Sequence, residues 1–172
     1  MSELTPPITV RLAEPEEYDA VGSLTAEVYE AEGFAHGDYL PILRDAAKRA
    51  EEAELLVAVD ADGHLLGTLT YAPGGTPFAD VSHPGEAEFR MLAVRPEARG
   101  HGVATQLVRA AIARARTQGQ RRLAISTQPE MATAHCLYER LGFRRAPERD
   151  WSPEPGINLR TYALELQADD TT

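Results

Sequence analysis

Hydrophobic positions along the chain switch between two periods, and the switches mark out the elements. Ile8, Val10 and Leu12 alternate with polar residues, which predicts a strand over 8–13. Pro15, Glu16 and Glu17 suit the first turn of a helix, where acidic groups meet the positive end of the dipole. Val21, Leu24 and Val28 then recur at helical spacing, and Gly33 is the predicted stop. Asp38 is the expected cap of a second helix that turns Leu40, Leu43, Ala47 and Ala50 inward. Leu55 to Val59 is a short apolar run, Asp62-Gly63 a hairpin turn, and 65–71 the returning strand. The Gly- and Pro-rich stretch 73–85 predicts a loop of a length that often carries function.

Glu88 to Val94 reads as the next strand. Val103, Leu107, Ala111 and Ala115 give a helix, with Ala104, Val108 and Ile112 widening its apolar stripe and Gly119 ending it. Leu123 to Ser126 is a short central strand, and Ala132 to Leu141 a helix closed by Gly142. Phe143 and Arg144 open an extended segment, and Leu159 to Leu166 alternates as a last strand. The predicted order is β-α-α-β-β-β-α-β-α-β-β. It describes an α/β (α+β) fold with a mixed sheet of about seven strands, flanked by about four helices. No repeat or linker divides the chain, so 1–172 reads as one domain, with a core from 8 to 166 and a frayed polar tail at 167–172.

A 43% apolar and 26% charged composition is globular, and excludes disordered, collagen-like and disulfide-rich classes. Cys136 is the single cysteine, so no internal disulfide forms, which suits a reducing compartment. No apolar run reaches the roughly 20 residues of a membrane span. The N-terminus lacks the basic-then-apolar pattern of a secretory signal. The expected location is the cytoplasm, without a membrane partner. Asp and Glu total 27 against 17 Lys and Arg, a net charge of -10. Such a surface repels phosphate backbones, which argues against nucleic acid and leaves a neutral or cationic small partner.

The most informative stretch runs from Met91 to Ala104, where a strand passes through a glycine turn into a helix. N–H groups at a helix start favour an anion, and Gly100 and Gly102 let the backbone approach a phosphate. Arg95 and Arg99 add positive charge to an acidic chain. The stretch is no dinucleotide fingerprint, because Thr105 stands where a third glycine is needed, and no P-loop lysine follows. By itself it is compatible with a diphosphate site or with a glycine turn that holds nothing.

The sequence Arg99-Gly100-His101-Gly102-Val103-Ala104 resembles the Arg/Gln-x-x-Gly-x-Gly/Ala motif of the GCN5-related N-acetyltransferase (GNAT) superfamily. Downstream, Ala134-His135-Cys136-Leu137-Tyr138-Glu139-Arg140-Leu141-Gly142-Phe143 resembles that family's second segment, A-x-x-L-Y-x-x-x-G-F. The element order is similar to that fold from Ile8 to Leu166, with a mostly antiparallel sheet. The resemblance implies acetyl-coenzyme A as acyl donor, entering where the strand matching Met91 to Val94 splays from that matching Leu123 to Ser126. Its pyrophosphate would rest on the turn formed by Arg99, Gly100, His101, Gly102, Val103, Ala104 and Thr105. Its pantetheine arm would pair along Leu92, Ala93 and Val94, with the Val94 N–H polarising the thioester carbonyl. Tyr138 matches the tyrosine that protonates the departing thiolate; from spacing alone it also fits a helix aromatic packed on the sheet. Glu88 falls where the histone-acetylating branch carries its general base, with Glu86 in reserve. By alternation Glu88 shares a face with Val94 unless a bulge intervenes, and a surface glutamate in a cross-strand pair fits the position as well.

One position departs from the family pattern. Many members carry Asn three residues before the second motif's Ala, and here that residue is Met131, so Thr127 or Thr133 is the expected cap. His36, His64, His83, His101 and His135 show no metal-ligand spacing, and no metal is expected. Cys136 is expected to pack inside its helix. Phe34, His36, Tyr39, Trp151 and Tyr162 are candidates to shape the acceptor pocket, or plain packing residues. The implied activity is acyl transfer, most simply acetyl transfer, to a small-molecule or peptide amine in a ternary complex, and a homodimer is a compatible assembly. The alternative is a catalytically silent acyl-coenzyme A binding module or sensor.

Overall fold

Residues 7–166 are described by a computed structural model, and the tail expected at 167–172 lies outside them. The strands are β1 (Thr9–Leu12), β2 (Glu54–Val59), β3 (Leu65–Pro73), β4 (Ala87–Val94), β5 (Arg122–Thr127), β6 (Arg144–Arg145), β7 (Trp151–Glu154) and β8 (Ile157–Glu165). The helices are α1 (Tyr18–Ala31), α2 (Tyr39–Arg44), α3 (Ala46–Glu52), α4 (Val103–Thr117) and α5 (Ala132–Arg140). The sheet runs β1-β2-β3-β4-β5-β8-β6, and β7 pairs with β8. The β1–β2, β2–β3, β5–β8, β6–β8 and β7–β8 pairs are antiparallel, and β4–β5 is parallel. The mixed sheet that the sequence pattern predicted and the mostly antiparallel order that the resemblance implied both stand, with one more strand and one more helix among the described residues.

The extra helix arises at Asp45, whose backbone (φ -84, ψ 66) leaves the helical region. Its carboxylate accepts from the Lys48 N–H at 3.2 Å and starts α3 anew. The predicted single helix thus becomes two, and Ala46 and Arg49 face inward where Ala47 was expected. The Arg49 guanidinium closes the end of α2 by donating to the carbonyls of Ile42 (2.8 Å) and Leu43 (2.7 Å). The extra strand, β7, forms a hairpin with β8 through Trp151↔Leu159 and Glu154↔Ile157.

The described residues group into two compact units. Residues up to Tyr71 with Met91–Ala111 form one, and Ala72–Arg90 with the residues from Ile112 form the other. In the first, Val21, Leu24 and Val28 of α1 pack with Leu55, Val57 and Val59 of β2, and with Ala46, Leu65 and Ala93. This joins the helical stripe to the alternating strand face, the burial that drives folding. A smaller cluster holds Ala26, Ala35, Leu43 and Met91. Strand β1 lies at the sheet's end, and Leu12 stays 45% exposed rather than turning inward as its alternation suggested. Gly22 permits a close approach of α1 to α2, since a Cβ there would sit 2.0 Å from the Arg44 carbonyl oxygen. Gly22→Ala must push the helices apart and is expected to cost about 1–3 kcal/mol, read as a lower denaturant midpoint at unchanged slope.

In the second unit, β5 and β8 pair from Arg122↔Glu165 to Thr127↔Arg160. Phe89 meets Tyr138 and Phe143 edge-on, with ring centroids 5.6 and 6.0 Å apart. Such pairs add about 0.5–1.5 kcal/mol each beyond their buried area. Gly142 (φ 97) ends α5 in the left-handed region, and the Phe143 N–H bonds back to the Tyr138 carbonyl at 2.9 Å.

Candidate active site

The segment from Arg99 to Ala104 becomes an exposed turn held from below. Gly67 of β3 lets α4 sit close on the sheet, as a Cβ there would meet Val103 Cγ1 at 2.9 Å, the Ala93 oxygen at 3.0 Å and Leu107 Cδ1 at 3.1 Å. Val103 and Leu107 are the first inward residues of α4, so this packing fixes where the helix begins. The Arg95 N–H donates to the Leu66 carbonyl at 2.9 Å and its Nε to the Leu65 carbonyl at 2.6 Å, tying the strand end down. Gly100 and Gly102 both adopt φ 81, which an L side chain resists, and both face open space. Gly100, His101 and Gly102 are exposed, Val103 is buried, and Ala104 and Thr105 are half-buried. Glycine is thus required here by backbone conformation, and the space over the turn leaves room for a phosphate. Arg99 points elsewhere: its Nη2 pairs with Glu32 Oε1 at 2.7 Å, a partly exposed contact of small energy.

Leu92 and Val94 are half-buried and Ala93 is buried. Between Glu88 and Val94 stands Met91 with φ 57, a left-handed residue within a strand, which costs about 1–2 kcal/mol for a residue with a Cβ. The strict alternation that would place Glu88 and Val94 on one face is broken there. The Met91 side chain is buried, and its sulfur accepts from Thr70 Oγ1 at 3.9 Å.

Glu88 is 1% exposed, which removes the surface reading. Its Oε1 accepts from the Val81 N–H (2.9 Å), the Ser82 N–H (3.0 Å) and the Ser82 hydroxyl (2.9 Å). All three donors come from the loop between β3 and β4. Burial raises the Glu88 carboxyl above its ordinary value, and these hydrogen bonds oppose the rise. A raised carboxyl is better matched to taking a proton near neutral pH.

Glu86, two residues earlier, is built differently. It is 2% exposed, and Arg149 grips it with a fork, Nη1 to Oε1 at 2.6 Å and Nη2 to Oε2 at 3.1 Å. The His83 N–H adds a bond at 2.9 Å, and Arg122 and Arg121 lie at 3.6 and 3.7 Å. Burial alone would raise this carboxyl, but the Arg149 and His83 hydrogen bonds and the surrounding guanidinium charges overcome it and hold the group at about 2. A carboxylate so stabilised is a poor proton acceptor.

Tyr138 is 3% exposed and sits among Phe89, Phe143 and Tyr162. Burial pushes its hydroxyl upward from an ordinary value at which it already holds its proton at neutral pH. The helix it occupies starts at Met131 without a side-chain cap. Thr127, an expected cap, instead places its hydroxyl 3.3 Å from the Met131 sulfur and 3.2 Å from His135 Nε2. His135 stacks at 5.2 Å on Tyr162, and Trp151 Nε1 donates to Ser126 Oγ at 3.0 Å. Cys136 corrects an expectation: it is exposed, because its position on the turn before Leu137 and Tyr138 faces away from the sheet. Phe34 and Tyr39 are half-buried and His36 is exposed.

The sequence pattern gave no sign of Ser82, Arg90 or Arg149. Arg90 pairs with Asp80 at 2.6 Å and Arg149 reaches back across the chain to Glu86, so neither shows as a local motif. Asp60, Asp62 and His64 also bring ligand atoms within 4.8 Å of one another, which histidine spacing did not suggest. Asp60 accepts from the N–H groups of Asp62 and His64, both at 2.9 Å, so the cluster acts as the hairpin's turn. Among the described residues no helix is long and apolar enough to cross a membrane.

Comparison with known proteins places this geometry in context. The profile of the Acetyltransferase (GNAT) family matches residues 18–143. A mycothiol acetyltransferase of Pseudarthrobacter chlorophenolicus is 36% identical over 109 residues, 59% of this chain and 32% of that protein. An L-methionine sulfoximine/L-methionine sulfone acetyltransferase of Pseudomonas paraeruginosa is 35% identical over 97 residues, 56% of this chain and 54% of its own. The chain therefore spans about a third to a half of these relatives. Among solved structures, a GCN5-related N-acetyltransferase from Kribbella flavida aligns with a TM-score of 0.70 at 27% identity, covering 92% of this chain and 98% of its own. A GNAT acetyltransferase from Brucella melitensis, solved with acetyl-CoA, has a TM-score of 0.67 at 20% identity and covers 95% of this chain and 90% of its own, a likeness of fold.

Proposed function

For a chain that belongs to the acetyltransferase (GNAT) family, we propose direct acyl transfer, of acetyl in the first instance, from acyl-coenzyme A to an amine. The observation that carries this reading is the turn at Gly100 and Gly102, left-handed at both glycines and open above them, at the start of a 15-residue helix. The N–H groups of such a helix start, with its dipole, suit the pyrophosphate of coenzyme A. Gly100, His101, Gly102, Val103, Ala104 and Thr105 would hold it there, with Leu92, Ala93 and Val94 along the pantetheine arm; Arg99, expected in the same set, would have to leave Glu32 to join them. Acetyl as the acyl group is supported by relatives named as acetyltransferases. The acceptor is a small-molecule or peptide amine, and a net charge of -10 favours a cationic one.

The proposed chemistry uses groups that differ in environment. Glu88, buried and raised, takes the proton of the ammonium through a water, since its own carboxylate is 1% exposed. A main-chain N–H at Val94 faces the oxygen on which negative charge develops. Tyr138, a phenol protonated at neutral pH, gives its proton to the departing thiolate. Tyr138→Phe is expected to lower kcat by about 100-fold with acetyl-coenzyme A still bound, and unchanged turnover removes Tyr138 from the mechanism. Glu88→Gln is expected to lower kcat/KM by a similar factor and to abolish the acid limb of its pH profile. In the wild type, activity needs Glu88 deprotonated, so it falls as pH drops through a value above the ordinary carboxylate range.

The test of the donor is calorimetric titration with acetyl-coenzyme A, with ATP as control, followed by an amine panel read by free-thiol release. One-to-one binding of the coenzyme and thiol release support the proposal. Binding without release for any amine leaves the silent binding module. No binding of any acyl-coenzyme A removes the assignment.

A further inference from the structure

We propose that Arg149 is a positioning residue for Glu88, acting through the peptide bond between Val81 and Ser82. Arg149 Nη1 donates to the Val81 carbonyl oxygen at 3.0 Å. That oxygen belongs to the same peptide group as the Ser82 N–H, which donates to Glu88 Oε1 at 3.0 Å. One peptide unit therefore carries a guanidinium at its oxygen and a carboxylate at its hydrogen. Charge at the oxygen polarises the unit and strengthens the N–H as a donor, as in any chain of hydrogen bonds in a weakly polar interior.

Arg149 is itself fixed at both ends. Its guanidinium is locked on Glu86, and its own carbonyl accepts from the Thr161 hydroxyl of β8 at 2.9 Å. The His83 N–H to Glu86 and the Glu86 N–H to the His83 carbonyl, both 2.9 Å, clasp the following stretch of the loop. Arg90, on the other side of Glu88 in β4, fastens the loop's earlier part through Asp80 and the Phe78 carbonyl at 3.2 Å. The donors to Glu88 thus lie between two arginine anchors. Among the described residues, the ion pairs made by the loop and by β4 beside Glu88 are Asp80 with Arg90, and Glu86 with Arg149, Arg121 and Arg122; the last also pairs with Glu165. Arg149 touches both the buried Glu86 carboxylate and the peptide that holds Glu88.

The inference rests on the assignment of Glu88 as base for its kinetic consequence, and its test separates the two. Glu88 is followed directly by carbon-13 NMR titration of the side-chain carboxyls, assigned with Glu88→Gln. Arg149→Gln removes the charge; Arg149→Lys keeps it but lacks the planar fork that spans both partners. In each, the Glu88 midpoint is expected to rise by about one pH unit, a tenfold change in proton affinity, with the acid limb of kcat moving equally and KM for acetyl-coenzyme A unchanged. Thermal melting establishes that the variant is folded, and Arg149→Lys decides the matter if Arg149→Gln does not fold. An unshifted Glu88 midpoint in a folded variant overturns the proposal. A raised midpoint with an unmoved acid limb upholds the role of Arg149 towards Glu88 and overturns Glu88 as base.

Discussion

Gly102→Glu is expected to weaken acetyl-coenzyme A binding by at least 100-fold while leaving the protein folded. The backbone cost follows from φ 81 at this residue, about 1–2 kcal/mol for any side chain with a Cβ. Beyond its two chain neighbours, no atom of the described residues lies within 4 Å of the position a Cβ would take, so no clash with the rest of the fold adds to that cost. The fold should survive with a modestly lower melting temperature. Binding has no such margin. A carboxylate in the turn fills the space proposed for the pyrophosphate and would repel it, in the region where the helix start would otherwise favour an anion. A penalty near 3 kcal/mol corresponds to about a 100-fold loss. Gly102→Ala separates the contributions, because it keeps the backbone cost and adds no charge. Titration calorimetry on both variants checks the ordering, and equal affinity for Gly102→Glu and wild type would place the pyrophosphate elsewhere.

Removing the Glu86 carboxylate should have the largest effect on stability. Glu86 is 2% exposed and bound in a fork by Arg149, so Glu86→Gln leaves guanidinium charge without its counter-ion. Breaking a buried pair from one side costs about 3–5 kcal/mol. The lowered carboxyl leads to a similar figure. A carboxyl held at about 2, against an ordinary 4.5, contributes about 3 kcal/mol at neutral pH. The sign follows from proton uptake. The unfolded chain binds the proton first as pH falls from 4.5, so the stabilisation is complete above that value. It is lost progressively as pH drops towards 2, where the folded carboxyl also protonates. Urea unfolding of wild type and Glu86→Gln should differ by a constant amount above about pH 5 and converge near pH 2. A difference that is constant down to pH 2 would show that the charge of Glu86 contributes nothing.

The proposed donor side of the candidate site was more legible in the sequence than the proposed acceptor side, and the reason is local. Arg99 to Ala104 form one continuous segment, and glycines at 100 and 102 answer a need of the same backbone that carries them. Leu137 to Phe143 is equally local, a helix end with its glycine stop. Glu88 showed as a candidate because it precedes that strand segment, but its environment did not. Its partners are N–H groups at Val81 and Ser82, and every residue except proline has one. Arg149 lies 63 positions from Glu86, and nothing in its local sequence distinguishes it from the other arginines.

The hydrophobic periods and glycine stops by themselves determined most of the order of elements, short of α3 and β7, together with the mixed sheet and the strand–turn–helix unit. These follow from interactions within a few residues, where spacing along the chain equals spacing in space. The tertiary structure alone decided the break of the second helix at Asp45, the left-handed Met91 and the exposure of Cys136. It also decided the different fates of two glutamates two residues apart. Glu86 meets guanidinium charge and is held as an anion, whereas Glu88 meets only neutral donors and is raised by burial. Ionisation depends on what the fold brings within a few ångströms, and that is set by residues far away in the sequence.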